Sequence, residues 1–118
     1  MPLTTLKPTI TAGQSLSASF DCTNGTLLTI MMPFNWTPAN ISFQVSTDNV
    51  AYYDVVDEFG KEGLWTAVAG TCLPIGSTTS WQGTSSAWKG MYMKIRSGSK
   101  DRPVIQVNTV EFIIAIQS

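Results

Sequence analysis

The sequence predicts an all-β domain, most simply a two-sheet antiparallel jelly-roll sandwich of about eight strands. Three observations carry this. Apolar and polar residues alternate at period two in several windows. Turn residues separate those windows at the spacing of a sandwich or barrel. No window shows a helical period.

The elements follow in order. Ser15–Phe20 sets Leu16, Ala18 and Phe20 against Ser15, Ser17 and Ser19, the mark of a half-buried strand. Thr23-Asn24-Gly25-Thr26 is a turn signal. Leu27–Met32 is apolar on both faces, so it is expected in a central position, covered on each side. Ile41–Ser46 points Ile41, Phe43 and Val45 inward, and Thr47-Asp48-Asn49 turns the chain. Tyr52–Val56 is rich in aromatic and β-branched residues. Leu64–Leu73 is a further strand. Trp88–Ser97 alternates Met91, Met93 and Ile95 with Tyr92, Lys94 and Arg96. Val104–Val107 is a short strand. Thr109–Gln117 closes with Val110, Phe112, Ile114 and Ile116 at period two.

Residues 10–118 are expected to form one domain, because 118 residues suit a single core. Residues 1–9 lack alternation and read as an extended N-terminal arm that orders against a partner. The start, Met1-Pro2-Leu3-Thr4-Thr5-Leu6-Lys7-Pro8, has no apolar stretch behind a basic start. It does not read as a signal peptide, and synthesis in the cytoplasm without export is expected. No apolar run is long enough for a membrane helix.

Composition narrows the function. Charged residues are 13% of the chain, about half the usual share, and the net charge is −1. That balance does not attract a polyanion, so no nucleic acid is expected as partner. The chain has no histidine. This removes Ser-His-Asp and Cys-His nucleophile systems and histidine metal sites, and the expectation is a non-enzymatic protein without a cofactor.

The acids gather in Asp48, Asp54, Asp57, Glu58 and Glu62. As turn and strand-end residues they need no ligand. Calcium near Asp48, Asp54 and Asp57 is the metal reading, although no EF-hand spacing is present. Lys89, Lys94, Arg96, Lys100 and Arg102 oppose these acids and hint at complementary surfaces between copies. Trp81, in a loop of small residues, and Trp65 are candidate glycan contacts, since a sugar face stacks on an aromatic ring. Trp81 packed over the sandwich end or on a partner chain is the plainer reading. Cys22 and Cys72 are buried thiols or a disulfide, and spacing leaves both open.

Several segments carry a resemblance. They are Ile10-Thr11-Ala12-Gly13-Gln14-Ser15-Leu16-Ser17, the run Pro33-Phe34-Asn35-Trp36-Thr37-Pro38-Ala39-Asn40-Ile41-Ser42-Phe43-Gln44-Val45-Ser46, and Met93-Lys94-Ile95-Arg96-Ser97-Gly98-Ser99 followed by Pro103-Val104-Ile105-Gln106. This arrangement resembles small jelly-roll virion structural proteins of tailed bacteriophages, of the capsid-decoration or head-fibre type, and looks like a galactose-binding-type fold. The resemblance implies a structural role in the virion, contact with major capsid or tail proteins, and a homo-oligomer. It supplies no binding residues. From the residues themselves, Leu3, Leu6, Ile10 and Ile113 in the extended ends are the candidate partner contacts. A carbohydrate-binding module of a tail or baseplate adhesin, with a host glycan as partner, is the alternative.

Overall fold

A computed structural model describes residues 3–23, 25–56, 59–75 and 91–117. Among them the regular structure is entirely strand, and every pairing is antiparallel. The strands are β1 (Leu3–Leu6), β2 (Thr9–Ile10), β3 (Phe20–Cys22), β4 (Thr26–Met31), β5 (Ile41–Ser46), β6 (Tyr53–Asp54), β7 (Cys72–Pro74), β8 (Met91–Ser97), β9 (Val110–Glu111) and β10 (Ile113–Gln117). One sheet has the order β1-β10-β4-β7 and another β3-β8-β5-β6, while β2 pairs with β9.

Among the described residues ten strands stand where about eight were expected. The difference lies at two interruptions. Pro8 has no N–H to give to a ladder, and it separates β1 from β2. Opposite it, Phe112 separates β9 from β10, and its N–H donates to the Pro8 carbonyl at 3.0 Å. Residues 3–6 and 9 of the segment expected as an arm ordering against a partner are instead paired with the chain's own C-terminal residues, from Leu3↔Gln117 to Thr9↔Glu111, and Ile10↔Val110 continues the register. The register continues across Pro8, and Leu6, Pro8 and Ile10 take the more buried positions in alternation with Lys7 and Thr9.

The sheets share one core, giving a sandwich-like architecture. Ile30, Ile114 and Ile116 of the first sheet meet Phe43, Met93 and Ile95 of the second. Ring pairs brace it: Phe43 with Trp65 at 5.0 Å and Trp36 with Phe112 at 5.5 Å, both edge-to-face, a preferred aromatic geometry.

Several local expectations need correction. In β4, Ala115 faces Thr29 and Ile116 faces Leu27, so Leu28 is skipped. The bulge lets Leu27 and Ile30, three apart, both reach the core. That explains an apolar run without a second covered face, for Met31 is exposed. In 15–20, Ser17 is buried and Ala18 exposed. The Ser17 hydroxyl accepts from the Ile95 N–H at 2.9 Å, and the Ser17 N–H donates to the Ile95 carbonyl at 2.8 Å. A side chain has replaced a backbone carbonyl in the ladder, and the alternation slips. Residues 104–107 form no strand, and Gln106 is buried while Ile105 and Val107 are exposed. Within 64–73 only Trp65, bridged to Ile41, and the start of β7 are paired.

Candidate functional site: an apolar seam between two edge strands

β1 is an edge of the first sheet and β3 an edge of the second. The sandwich is open between them. Cross-strand partners share a face, so Leu6 opposite Ile114 and Thr4 opposite Ile116 point inward. Phe20, opposite Met93 in β8, points inward from the other side. Between them lies a cleft of about 600 Å³, with Ile116 in its lining. Leu6, Pro8, Ala18 and Phe20 make its walls mainly apolar.

The rim has one charge of each sign, Lys7 and Asp21. Asp21 Oδ1 accepts from the Thr23 hydroxyl at 2.5 Å and from the Thr23 N–H at 2.7 Å. These hydrogen bonds hold its pKa below the usual aspartate value. The carboxylate is committed to its own turn. Beside it Cys22 is buried, and burial, reinforced by the Asp21 charge, pushes its thiol up to about 12. It is a packing residue rather than a nucleophile.

The predicted contact residues divide. Leu3 opens β1 opposite Gln117. Leu6 is half-buried in the seam wall. Ile10 is fully buried in the core, so it is a packing residue and no contact. Ile113 is exposed, but its partner Met31 lies on the outer face of the sheet, away from the seam.

The predicted glycan contacts also divide. Trp65 is 3% exposed and packs on Phe43, so its ring faces the core instead of a ligand. Trp81 lies outside the described residues.

The acids do structural work where they are described. Asp48 Oδ1 accepts from the Ser46 hydroxyl at 2.9 Å and from the Val50 and Ala51 N–H groups at 2.9 and 3.1 Å. The backbone donors are the chief cause of its lowered pKa. Asn49, at φ +62°, completes the turn. Asp54 pairs with Arg96 at 2.7 Å. Asp57 and Glu58 lie outside the described residues. Among the described residues no three His, Cys, Asp or Glu side chains are grouped to hold a metal ion.

Sequence reasoning missed the role of Arg96. It is buried, and its guanidinium donates to Asp54, to Glu62 and, from Nε at 3.0 Å, to the Ser42 hydroxyl. Glu62 also accepts from the Lys100 N–H at 3.0 Å. The opposition of acids and bases read as a surface between copies is, at Arg96, an internal clamp. Its sequence signal was weak, because Arg96 sits in register with Lys94 and Tyr92 on the polar side of β8.

Comparison of the sequence with protein-family models found no matching family. Comparisons with curated proteins and with solved structures found no match either.

Proposed function

We propose that the chain is a jelly roll and serves as a non-enzymatic virion structural subunit of a tailed phage. Its role is that of a capsid decoration or head-fibre protein, and its place is the assembled particle. The strand order supports the jelly roll. With β1 and β2 counted as one run, and β9 and β10 as another, eight runs remain. One sheet then has the order first, eighth, third, sixth, and the other second, seventh, fourth, fifth. Two nested Greek keys produce that order, and the architecture recurs in capsid and lectin domains.

The observation that carries the binding reading is the open apolar seam between β1 and β3. Its occupant is an extended, uncharged segment of a neighbouring capsid or tail protein. Strand edges offer backbone groups for an added strand. Lys7 and Pro8 break the β1 edge, so addition is confined to Leu3–Leu6. Many copies on a lattice sum such contacts through avidity.

Deleting Met1–Pro8 does not test this, because it removes β1 and uncovers Ile114 and Ile116. Thr4→Arg charges the seam from an exposed position and spares the core. The test is sedimentation and imaging of the chain with purified particles. The native chain should decorate them, while Thr4→Arg and Leu6→Lys, each folded by circular dichroism, should not. Decoration by both variants at the native level sinks the reading. Binding to a glycan array, with particles left bare, would favour the adhesin instead.

A further inference from the structure

The pairing of β1 with β10 fixes which backbone groups of β1 face the seam. In an antiparallel pair, residues that exchange hydrogen bonds alternate with residues whose N–H and C=O point the other way. The Phe112 N–H donates to the Pro8 carbonyl at 3.0 Å, so Pro8 and Phe112 form a bonded position. Counting back along the register, Leu6 with Ile114 and Thr4 with Ile116 are bonded positions as well. Leu3, Thr5, Lys7 and Thr9 then turn their backbone groups toward the open edge. Thr9 agrees with this phase, for its carbonyl accepts from the Ala18 N–H, in the segment that leads into β3, at 3.1 Å.

That bond closes the seam at one end. Ala18 takes the place that the next residue of a strand laid along β1 would need, so such a strand ends there. Before that point the edge is open. Thr5 is exposed, and among the described residues no backbone group bonds its N–H or carbonyl on the open side. Lys7 stands two residues before Thr9, exposed and in the lining of the cleft. Among the described residues no carboxylate is paired with it, and Asp21 across the cleft is held by Thr23. The closed end thus presents an uncommitted cation and the outward N–H of the same residue, next to mainly apolar walls.

We propose that the seam takes the C-terminal end of a neighbouring protein, added as a strand parallel to β1 with its terminal carboxylate at Lys7. The inference rests on the docking reading above and names what docks. Charge complementarity selects the terminus: Lys7 attracts a carboxylate and repels an amino group, and its outward N–H is a second donor to the same anion. The carboxylate at the closed end sets the direction, since β1 also runs toward Thr9. Alternation then sets the sequence pattern. The last residue lies beside Lys7. The second and fourth from the end lie beside Leu6 and Thr4 and point into the cleft, so they are apolar. The third lies beside Thr5, takes its backbone bonds and stays on the outer face.

Fluorescence anisotropy of the full chain with the peptide Thr-Val-Thr-Val-Thr, labelled at its amino end, tests it. The peptide with a free carboxylate should bind. Its C-terminal amide should bind roughly tenfold more weakly, the effect of losing a charge-assisted hydrogen bond. Lys7→Gln should bind the two forms alike. Thr5→Pro removes an N–H that faces the open edge and spares the bonded positions, so it should fold, by near-native melting, yet bind neither form. Thr5→Val keeps that N–H and should bind as the native chain does. A native chain that binds neither form, or binds both equally, overturns the proposal. So does Thr5→Pro binding at the native level. If Thr5→Pro still decorates particles while Thr4→Arg does not, strand addition falls and the docking reading stands.

Discussion

Gln106 and Thr37 exchange two hydrogen bonds: the Thr37 N–H donates to Gln106 Oε1 at 2.8 Å, and Gln106 Nε2 donates to the Thr37 carbonyl at 3.0 Å. A side-chain amide thereby stands in for a β-strand partner across 69 residues of sequence. Gln106 Nε2 also reaches the Ser97 hydroxyl at 2.8 Å, and the residue is fully buried. A buried polar group that loses its partners costs about 1–3 kcal/mol each. Gln106→Leu keeps the volume but orphans the Thr37 backbone. Urea denaturation should show a loss of about 2–4 kcal/mol with an unchanged slope.

Arg96 is a second buried commitment. Its side chain is buried between Asp54 and Glu62, which keep partial contact with water. Removing the cation leaves two carboxylates facing each other, whereas removing one carboxylate leaves the cation still paired. Arg96→Ala should therefore destabilise by about 2–4 kcal/mol, less than a fully buried pair because of screening. Glu62→Ala should cost about half as much and should free the Lys100 amide for exchange. Equal losses for the two variants would show that the clamp does not act as a triad. Hydrogen exchange and denaturation together read both effects.

These two networks mark where the sequence was legible and where it was not. The all-β class could be read because Phe43, Ile95, Ile114 and Ile116 obey period two and are all buried. Buried Gln106 and Ser17 could not be read. Each occupies a ladder position with its side chain, and period-two reasoning assumes that only backbones pair. β1 escaped notice because a polar residue, Thr4, shares the inner face with Leu6, so apolar positions do not mark one face. The seam was half legible. Leu6 was named from its apolar character, but Phe20 and Thr4 join it only through the pairings of β3 with β8 and β1 with β10.

The Asp48 turn gives a pH dependence of known sign. Its folded pKa is lowered, chiefly by the Val50 and Ala51 N–H groups. The stability it contributes is therefore fully present above the unfolded value of about 3.9 and is lost as pH falls through the folded value. As pH falls through the folded value, the Val50 and Ala51 amides should lose protection relative to their intrinsic exchange rates. Asp48→Asn has no titrating group, and its exchange should follow only the intrinsic pH trend. A native profile parallel to that of Asp48→Asn would count against the carboxylate's role.

The two thiols should behave in opposite ways. Cys72 is exposed, whereas Cys22 is buried with its pKa pushed up to about 12 by burial and then by the neighbouring Asp21 charge. At pH 8 a thiol reagent should titrate one group in the native chain and two in denaturant. The linkage follows from the raised value. The Cys22 contribution is complete below the unfolded thiol pKa of about 8.5 and declines as pH rises from there toward 12. Cys22→Ala should flatten that alkaline decline, while Cys72→Ser should leave it in place.

Ile10 separates packing from docking at the N-terminal edge. It pairs with Val110, both are fully buried, and neither lines the seam. Leu6, four residues earlier, is half-buried and does line it. Truncating a core isoleucine removes its transfer free energy and leaves a cavity, at a cost of about 2–5 kcal/mol. Ile10→Ala should lower the midpoint of thermal unfolding by roughly 10 °C or more, for a domain in which 1 kcal/mol shifts it by about 4–8 °C. Leu6→Ala should cost less than half as much, because part of that side chain already faces water. If the seam is the docking site, particle binding measured below both transitions should stay native in Ile10→Ala and fall in Leu6→Ala. The reverse pattern would return Ile10 to the contact surface, against its burial.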